Sequence, residues 1–577
     1  MYPNQFDSQT TLFQIIVLIL SAYALYLFLL PKPIPGIPYN KDAANSLMGD
    51  IPALLDSQKQ DISLWKWVSS QCEKLQSPII QLWLAPFSRP LVVLSDFREA
   101  EDITMRRTKD LDRSDSLEHI FGPLFPQFHM LIKSQDPLYK RQRRWLQDLM
   151  TPGFLHNVAA EPIYQNVLKV VELWDHKARL ARGRPFAAFE DIYYGALDAV
   201  FSFSFGGAFA HSAIPARLEA VASMGGVEEP SEPGGPVLFP EEARNKIVDA
   251  ILTLAESVEE ARKAVFPRFR SWCMHQTSRI KQAKRIRDDL IDREIEIAVE
   301  RLESQEPVSS AVDHMMHREK LFAEKEGRKP VFKSVGMHSE VFGFLMAGHE
   351  TSATTFGWGL KYLTDHQDIQ RQLHGELRKH LSKAAAEKRQ PTCEEIIKTT
   401  IPYLDATMEE ILRCAGTTSV TDRQALCDTT ILGHRIPKDT NVILVTIGES
   451  IMKPDFDIPD SQRTKTALNA TSRIRSWNSS PYPVADFQPA RWLVPSKDDA
   501  DREVFDATAG PQMAFGLGPR ACFGRRLAYL ELRMFTVLLF WHFELLRCPD
   551  ELSGYNGCVG LTVKPMQCYV RLRKIPW

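Results

Sequence analysis

The chain has 577 residues, of which 44% are hydrophobic and 25% charged, with a formal net charge of -2. That is the composition of an ordinary globular protein, and the near-neutral balance argues against nucleic acid as the main partner. Nine cysteines at irregular spacing, with no Cys-x-x-Cys pair, do not make a disulfide framework; they read as reduced thiols of a cytosol-facing domain.

Leu12 to Leu30 reads LFQIIVLILSAYALYLFLL without a charge, close to the roughly 20 apolar residues that cross a bilayer as helix. No basic residue precedes it and no clear small-residue cleavage site follows, which argues against a cleaved signal peptide. Lys32 and Lys41 follow the span while only Asp7 is charged before it, so positive-inside logic places the bulk of the chain in the cytosol. Pro31, Pro33, Pro35 and Pro38 forbid regular helix and favour a stiff extended segment. The predicted organisation is a tail over 1–11, a transmembrane anchor over 12–30, a proline-rich hinge over 31–40 and one catalytic domain over 41–577.

Pro78 to Ala85 and Pro90 to Leu94 read as two strands of a small sheet, after which the chain is mainly helical by period. Arg141, Arg143 and Arg144 form a basic cluster, either a solvated charge run or a steering surface for an acidic partner. A Gly/Pro-rich loop, Gly225 to Pro240, ends in the apolar Val237-Leu238-Phe239. Helical apolar patterns follow at Ile247 to Leu254 and Val335 to Leu363, separated by a densely charged stretch, Arg279 to Arg301, that reads as a solvated helix face.

The long apolar helix contains Ala347-Gly348-His349-Glu350-Thr351. Alone, an acid beside a threonine in a helix is structural, with the hydroxyl bonding back to a carbonyl. His349 is turned about 100° from each neighbour and is not expected to be a metal ligand. Glu410 and Arg413 are three residues apart and share a helix face. Between Lys453 and Val484 lies a polar segment rich in Ser, Thr and Asp that reads as a surface insertion, carrying sequons at Asn469 and Asn478 that stay unmodified in a cytosolic domain.

The most informative stretch is Phe515-Gly-Leu-Gly518-Pro-Arg520-Ala-Cys522-Phe-Gly524, which opens directly into an apolar helix. A lone cysteine at a helix N-terminus near an arginine is an environment that favours thiolate, the metal-binding form. The run resembles the haem-binding loop of the cytochrome P450 family, Phe-x-x-Gly-x-Arg-x-Cys-x-Gly, at every fixed position. The resemblance implies a mainly α (α+β) fold with a small β-rich subdomain, and haem b held by Cys522 as the axial iron ligand. It assigns Phe515 to covering the sulfur, Gly518 to the turn, Arg520 to a haem propionate, and Gly524 to the close approach of helix and porphyrin.

Other segments match the same family in order. Ala347 to Thr351 is similar to its Ala/Gly-Gly-x-Asp/Glu-Thr pattern, which implies that Gly348 leaves room for a small ligand, Thr351 hydrogen-bonds bound dioxygen and Glu350 relays protons. Glu410, Arg413 and, in Phe487-Gln-Pro-Ala-Arg491-Trp492, Arg491 match its buried charge triad, a structural support. Arg423 and Arg143, the latter in Tyr139-Lys-Arg-Gln-Arg143 with Tyr for the family's Trp, are implied propionate contacts. The family also places the region of the 225–240 loop against the membrane near substrate access, and a floppy surface loop is the equal alternative. Texture elsewhere, as in Gln147 to Phe154 and Lys564 to Arg571, looks most like filamentous-fungal members of secondary metabolism.

The implied activity is monooxygenation of a lipophilic small molecule on the endoplasmic reticulum membrane, single-pass, with the catalytic domain cytosolic. Electrons come from NADPH through a cytochrome P450 reductase, with cytochrome b5 as an optional partner. Two rivals stand beside it: a haem-thiolate isomerase or dehydratase acting without O2, and a non-catalytic haem-binding protein. The Glu350–Thr351 pair argues against both.

Overall fold

The apolar pattern over Val335–Leu363 becomes a 31-residue helix, Val335–Asp365, in a computed structural model that describes residues 8–59, 62–227, 234–240, 244–264, 266–470, 476–499 and 501–576. The Ser334 side chain caps it by accepting from the Met337 amide. The helix is buried along most of its length, as one apolar on nearly every side must be, and it is the central beam of the domain. Helices Ala160–Ala181, Phe189–Phe205, Pro402–Ala415 and Arg525–His542 pack around it and one another.

The two predicted strands form a hairpin, Ile79–Leu82 with Leu91–Leu94, in the register Ile79↔Leu94 to Leu82↔Leu91. It continues into a five-stranded sheet through Asn441–Val445, Val420–Ala425 and Leu111–Asp112. Only the Leu91–Leu94 pairing with Asn441–Val445 is parallel. The strand Val420–Ala425 is delivered by the helix Pro402–Ala415, which stops at Gly416 in the left-handed region (φ 55°). That turn lays Thr417 and Thr418 beside the central helix. At the C-terminal end, Val563–Pro565 runs past the same helix, tied to it by Trp358 Nε1 donating to the Val563 carbonyl at 2.7 Å.

The mainly helical α+β expectation holds, as does the helix in the first span. Ser8–Leu29 is helical, and Thr11–Leu29 has a mean hydropathy of 2.4 with none of its residues buried. Most of the predicted tail over 1–11 lies outside the described residues. The proline-rich segment is not helical, but it turns at Gly36 (φ 84°) rather than running extended, and it does not swing free. Ile34 and Ile37 are buried, and Gln81 Nε2 donates to both of their carbonyls, at 2.9 and 2.7 Å. The strut is therefore welded to the first strand.

Two surface readings are revised. In the Gly225–Pro240 loop, residues 228–233 lie outside the described residues, but its apolar end is docked. Val237 is buried with its amide on the Pro185 carbonyl, and Phe239 packs edge-on against Phe186. Only Leu238 projects. The exposed apolar face lies instead on the helix Pro267–Gln276 and its approach, where Phe266, Phe269 and Trp272 are 62, 66 and 61% exposed. Those rings recur at every third residue, with Arg268 and Arg270 on either side of the middle one, a pattern present in the sequence itself. The polar 453–484 segment, of which 471–475 lie outside the described residues, is also no loose insertion. Arg463 pairs with Asp96 at 2.8 Å, and Thr464 and Thr466 donate to Asp102 at 2.8 and 2.9 Å. It is thereby fastened to the helix Phe97–Met105.

Candidate active site

The Cys522 loop takes its shape from two contacts. Gly518 sits at φ +71°, and a Cβ there would lie 2.1 Å from the carbonyl oxygen of Thr104, so only glycine fits. The Cys522 amide then donates to the Phe515 carbonyl at 2.7 Å, closing the loop. Gly524 leads into the helix Arg525–His542, and a Cβ on it would meet no protein atom within 4 Å. The open space on that side is where a flat ring system fits.

Cys522 is open to a cavity of about 340 Å³ although it lies deep in the domain. Burial pushes its thiol above the ordinary value, opposed by the amides of Gly524 and Arg525 and by the Arg525 charge. The cation beside the sulfur is thus Arg525, not Arg520, and a metal ion bound at the sulfur would favour the thiolate, since coordination deprotonates a thiol.

Arg520 faces the rim. Its Nη2 donates to the Met130 carbonyl at 3.2 Å and its guanidinium lies 4.5 Å above the Tyr139 ring, while Nη1 is buried without a partner among the described residues. Arg113, on the same wall, has its Nε in the same condition. Arg423 stands behind them, pushed down to about 10 by burial and by the charges of Arg113 and Arg520. Two guanidinium groups, each with an unused buried donor, form a wall that calls for an anion. This donor set, the open Gly524 face and the accessible sulfur together fit a flat, anionic, metal-bearing ring such as haem. Two predicted contacts do not reach the cavity. Arg423 is the second layer, and Arg143 stacks 4.6 Å above Phe523.

The facing wall is the central helix, which contributes Ala347, Gly348, Thr351 and Ser352. The Thr351 hydroxyl donates to the Ala347 carbonyl at 2.8 Å, leaving its lone pairs toward the cavity. Gly348 also admits the neighbouring helix, since a Cβ there would meet Val200 at 2.7 Å. Glu350 is buried and turned away. Its Oε1 accepts from the Thr562 hydroxyl at 2.8 Å and lies 3.4 Å from Lys564 Nζ. His349 also points away, bridging the Leu345 carbonyl at 2.6 Å and the Tyr193 hydroxyl at 2.9 Å, as its helical position requires.

Behind the loop, Glu410 and Arg413 pair doubly at 2.7 and 2.8 Å with both side chains fully buried. Arg491 Nε joins at 3.1 Å, and the Gln488 amide and Trp492 Nε1 complete the carboxylate's shell at 2.7 and 2.9 Å. Burial alone would raise the Glu410 carboxyl; Arg413, Arg491 and the Gln488 amide outweigh it and hold it below its usual range. Arg413 also donates to the carbonyls of Ile451, Val484 and Asp486, at 2.7, 2.8 and 2.8 Å. Gln512 and Tyr529 connect this clamp to the loop through the Glu409 backbone and side chain. Sequence reasoning missed Arg113, which sits in no motif. It also missed Glu531, visible only as one acid inside the apolar run Leu530-Glu-Leu532.

The family model described as "Cytochrome P450" matches residues 65–451 and 454–565. The chain is 38% identical over 582 aligned residues to "Cytochrome P450 monooxygenase TRI13" of Fusarium sporotrichioides, covering 97% of this chain and 98% of that protein. It is 37% identical to "Cytochrome P450 monooxygenase xilC" of Penicillium rubens, covering 96% and 95%. It is 34% identical to "Cytochrome P450 monooxygenase GME11363" of Pestalotiopsis microspora, covering 96% and 97%.

Proposed function

The chain belongs to the cytochrome P450 family, and from that premise we propose a role for each residue of the cavity. The family is that of haem-thiolate monooxygenases, so the reaction class is insertion of one oxygen atom into a lipophilic substrate and the cofactor is haem. One observation carries the assignment: the Cys522 sulfur and the Thr351 hydroxyl open on the same cavity from opposite walls. Haem bound here supplies dioxygen activation.

Cys522 would hold the haem iron through its sulfur, and the open face at Gly524 would leave room for the ring. Arg520 and Arg113 would take the propionates with the donors they leave unused, and Arg423 would reinforce their field from behind. Phe515 closes the proximal side, its ring 5.4 Å from that of Tyr529. Thr351 orients a hydrogen bond into the oxygen side of the cavity. Glu350 sits one residue away in an ion pair with Lys564, whose side chain is 24% exposed; that pair is the solvent-side store of protons for the Thr351 turn. Glu410, Arg413 and Arg491 hold the loop from behind and do no chemistry.

The finer setting is a single-pass anchor in the endoplasmic reticulum with the domain in the cytosol, supported by the span before Lys32 and Lys41. Phe266, Phe269 and Trp272 give a second apolar contact for the same bilayer. Electrons come from an NADPH-dependent reductase, and from cytochrome b5 as an optional donor, at the face behind the Cys522 loop where Arg141 and Arg526 are exposed. The substrate is an intermediate of fungal secondary metabolism, a reading that rests on relatives named for such clusters, one of them a "Hps1-dma1 cluster" protein. The test uses the metabolite that accumulates in a gene-deletion strain, given to the protein with reductase, NADPH and 18O2. One 18O atom should appear in the product. Conversion that proceeds without NADPH and O2 would contradict the proposal and favour the isomerase class.

A further inference from the structure

The cation beside the Cys522 sulfur is held in place. Arg525 opens the helix Arg525–His542 three residues after Cys522. Its guanidinium lies 5.9 Å above the Phe515 ring and 5.5 Å above that of Tyr529, and those two rings pack against each other at 5.4 Å. Phe515 is tied in turn to the sulfur's own residue, since its carbonyl accepts from the Cys522 amide at 2.7 Å. The positive charge therefore rides on the same loop as the sulfur, fixed by two aromatic faces.

Behind the rings stands an acid. The Tyr529 hydroxyl donates to Glu409 Oε2, and Glu409 is 1% exposed. Its backbone is fixed from the loop side: Gln512 Nε2 donates to the Glu409 carbonyl at 3.2 Å, and the Ala514 amide donates to Gln512 Oε1 at 3.0 Å. The charges of Glu409 and Arg525 attract each other. The next residue on the same helix is Glu410, whose carboxylate is committed to Arg413 and Arg491. Two adjacent acids thus serve different cations. Glu410 closes the clamp, while Glu409 faces the cation of the sulfur through Tyr529, whose hydroxyl meets the acid and whose ring meets the guanidinium.

We propose that Arg525 sets the reduction potential of the iron that Cys522 would hold, with Glu409 as the counterweight that Tyr529 keeps in register. This rests on the haem-thiolate reading above. One electron taken up from the reductase turns ferric iron to ferrous and leaves one more unit of negative charge at the metal and its sulfur ligand. A fixed cation beside the sulfur stabilises that charge, and a carboxylate behind the cation opposes it. Arg525 acts through the sulfur, and Tyr529 and Glu409 act through Arg525, so all three are positioning residues.

The test is an anaerobic titration of the full-length, haem-bound protein with dithionite, followed by its absorption spectrum. Arg525→Met removes the charge and keeps a stem over the rings. Its ferrous-to-ferric ratio at a fixed potential should fall about tenfold, a shift of about 59 mV for one electron. Glu409→Gln removes the opposing charge and keeps an acceptor for Tyr529. It should move the ratio the other way, by about threefold, because it acts from behind Tyr529. Arg525→Lys keeps the charge and should restore most of the parent potential. A merely structural role would not give shifts of opposite sign on the two sides of Tyr529. An unmoved potential in Arg525→Met, or shifts of the same sign in Arg525→Met and Glu409→Gln, overturns the inference. Should Arg525→Met fail to take up haem, Glu409→Gln decides alone, and an unmoved potential there overturns it. The CO spectrum of the same samples tests the underlying reading separately. Its thiolate-type band missing from the parent contradicts the haem-thiolate assignment itself, whereas that band with unmoved potentials contradicts only the role of Arg525.

Discussion

Glu350 Oε1 and Lys564 Nζ face each other at 3.4 Å across the junction of the central helix and the C-terminal strands, with Lys564 also 3.2 Å from Glu259. The acid of the Ala-Gly-His-Glu-Thr segment is therefore buried on the side of the helix that faces the C-terminal strands, while Thr351 is on the cavity side. A helix turn of about 100° per residue separates them. The pair works in series, and Glu350→Gln tests the outer half. It should retain haem and its CO spectrum while NADPH-driven turnover falls by about a hundredfold. Unchanged turnover would leave Glu350 as a structural tie to Thr562 and Lys564.

Thr351→Ala tests the inner half. The Thr351 hydroxyl donates to the Ala347 carbonyl at 2.8 Å, a bond the helix does not need, so the fold and the haem should remain. Product formed per NADPH should fall about tenfold, with the electrons appearing as peroxide. Full coupling in this variant contradicts the role assigned to the hydroxyl.

Arg413→Met leaves Glu410 buried beside Arg491 alone, which should cost about 3–5 kcal/mol of stability. Urea unfolding followed by haem absorbance measures it. The sign of the pH dependence also follows. The folded-state value of Glu410 lies below its unfolded value, so its contribution is present above about pH 4.3 and is lost as pH falls below that. The variant should lose less stability than the parent across that acid window.

Gly518→Ala places a methyl 2.1 Å from the Thr104 carbonyl oxygen at a positive φ. The helix Phe97–Met105 that presents this carbonyl is capped by Asp96 and braced by Arg463, so it cannot yield cheaply. The purified variant should carry haem substoichiometrically, read as the ratio of haem to protein absorbance. A full complement would mean the loop has another conformation open to it.

How much of this was legible in the chain differs by residue. Cys522, Gly518 and Gly524 announced their loop because each needs one particular atom or the lack of one. The helix Val335–Asp365 and the hairpin at Ile79 followed from apolar period and flanking residues. Glu410, Arg413 and Arg491 were visible as motif matches, but their sharing of one carboxylate depends on residues 81 apart meeting in space. The second demand on Gly348 was out of sight because local sequence shows a missing side chain and not the neighbour, Val200, that packs against it. Arg113 and Glu531 were silent for the same reason. An arginine after a two-residue strand and an acid in an apolar helix acquire meaning only from what tertiary packing brings opposite them. The strapping of Ile34 and Ile37 by Gln81, 47 and 44 residues away, was equally out of reach.

The central claim is that Cys522 is the thiolate ligand of a haem, and the reduced, CO-bound absorption spectrum tests it most directly. The full-length protein should show the red-shifted Soret band of thiolate-ligated haem, and Cys522→Ala, if it holds haem at all, should show none of it. A thiolate-type band that persists in Cys522→Ala would contradict the assignment.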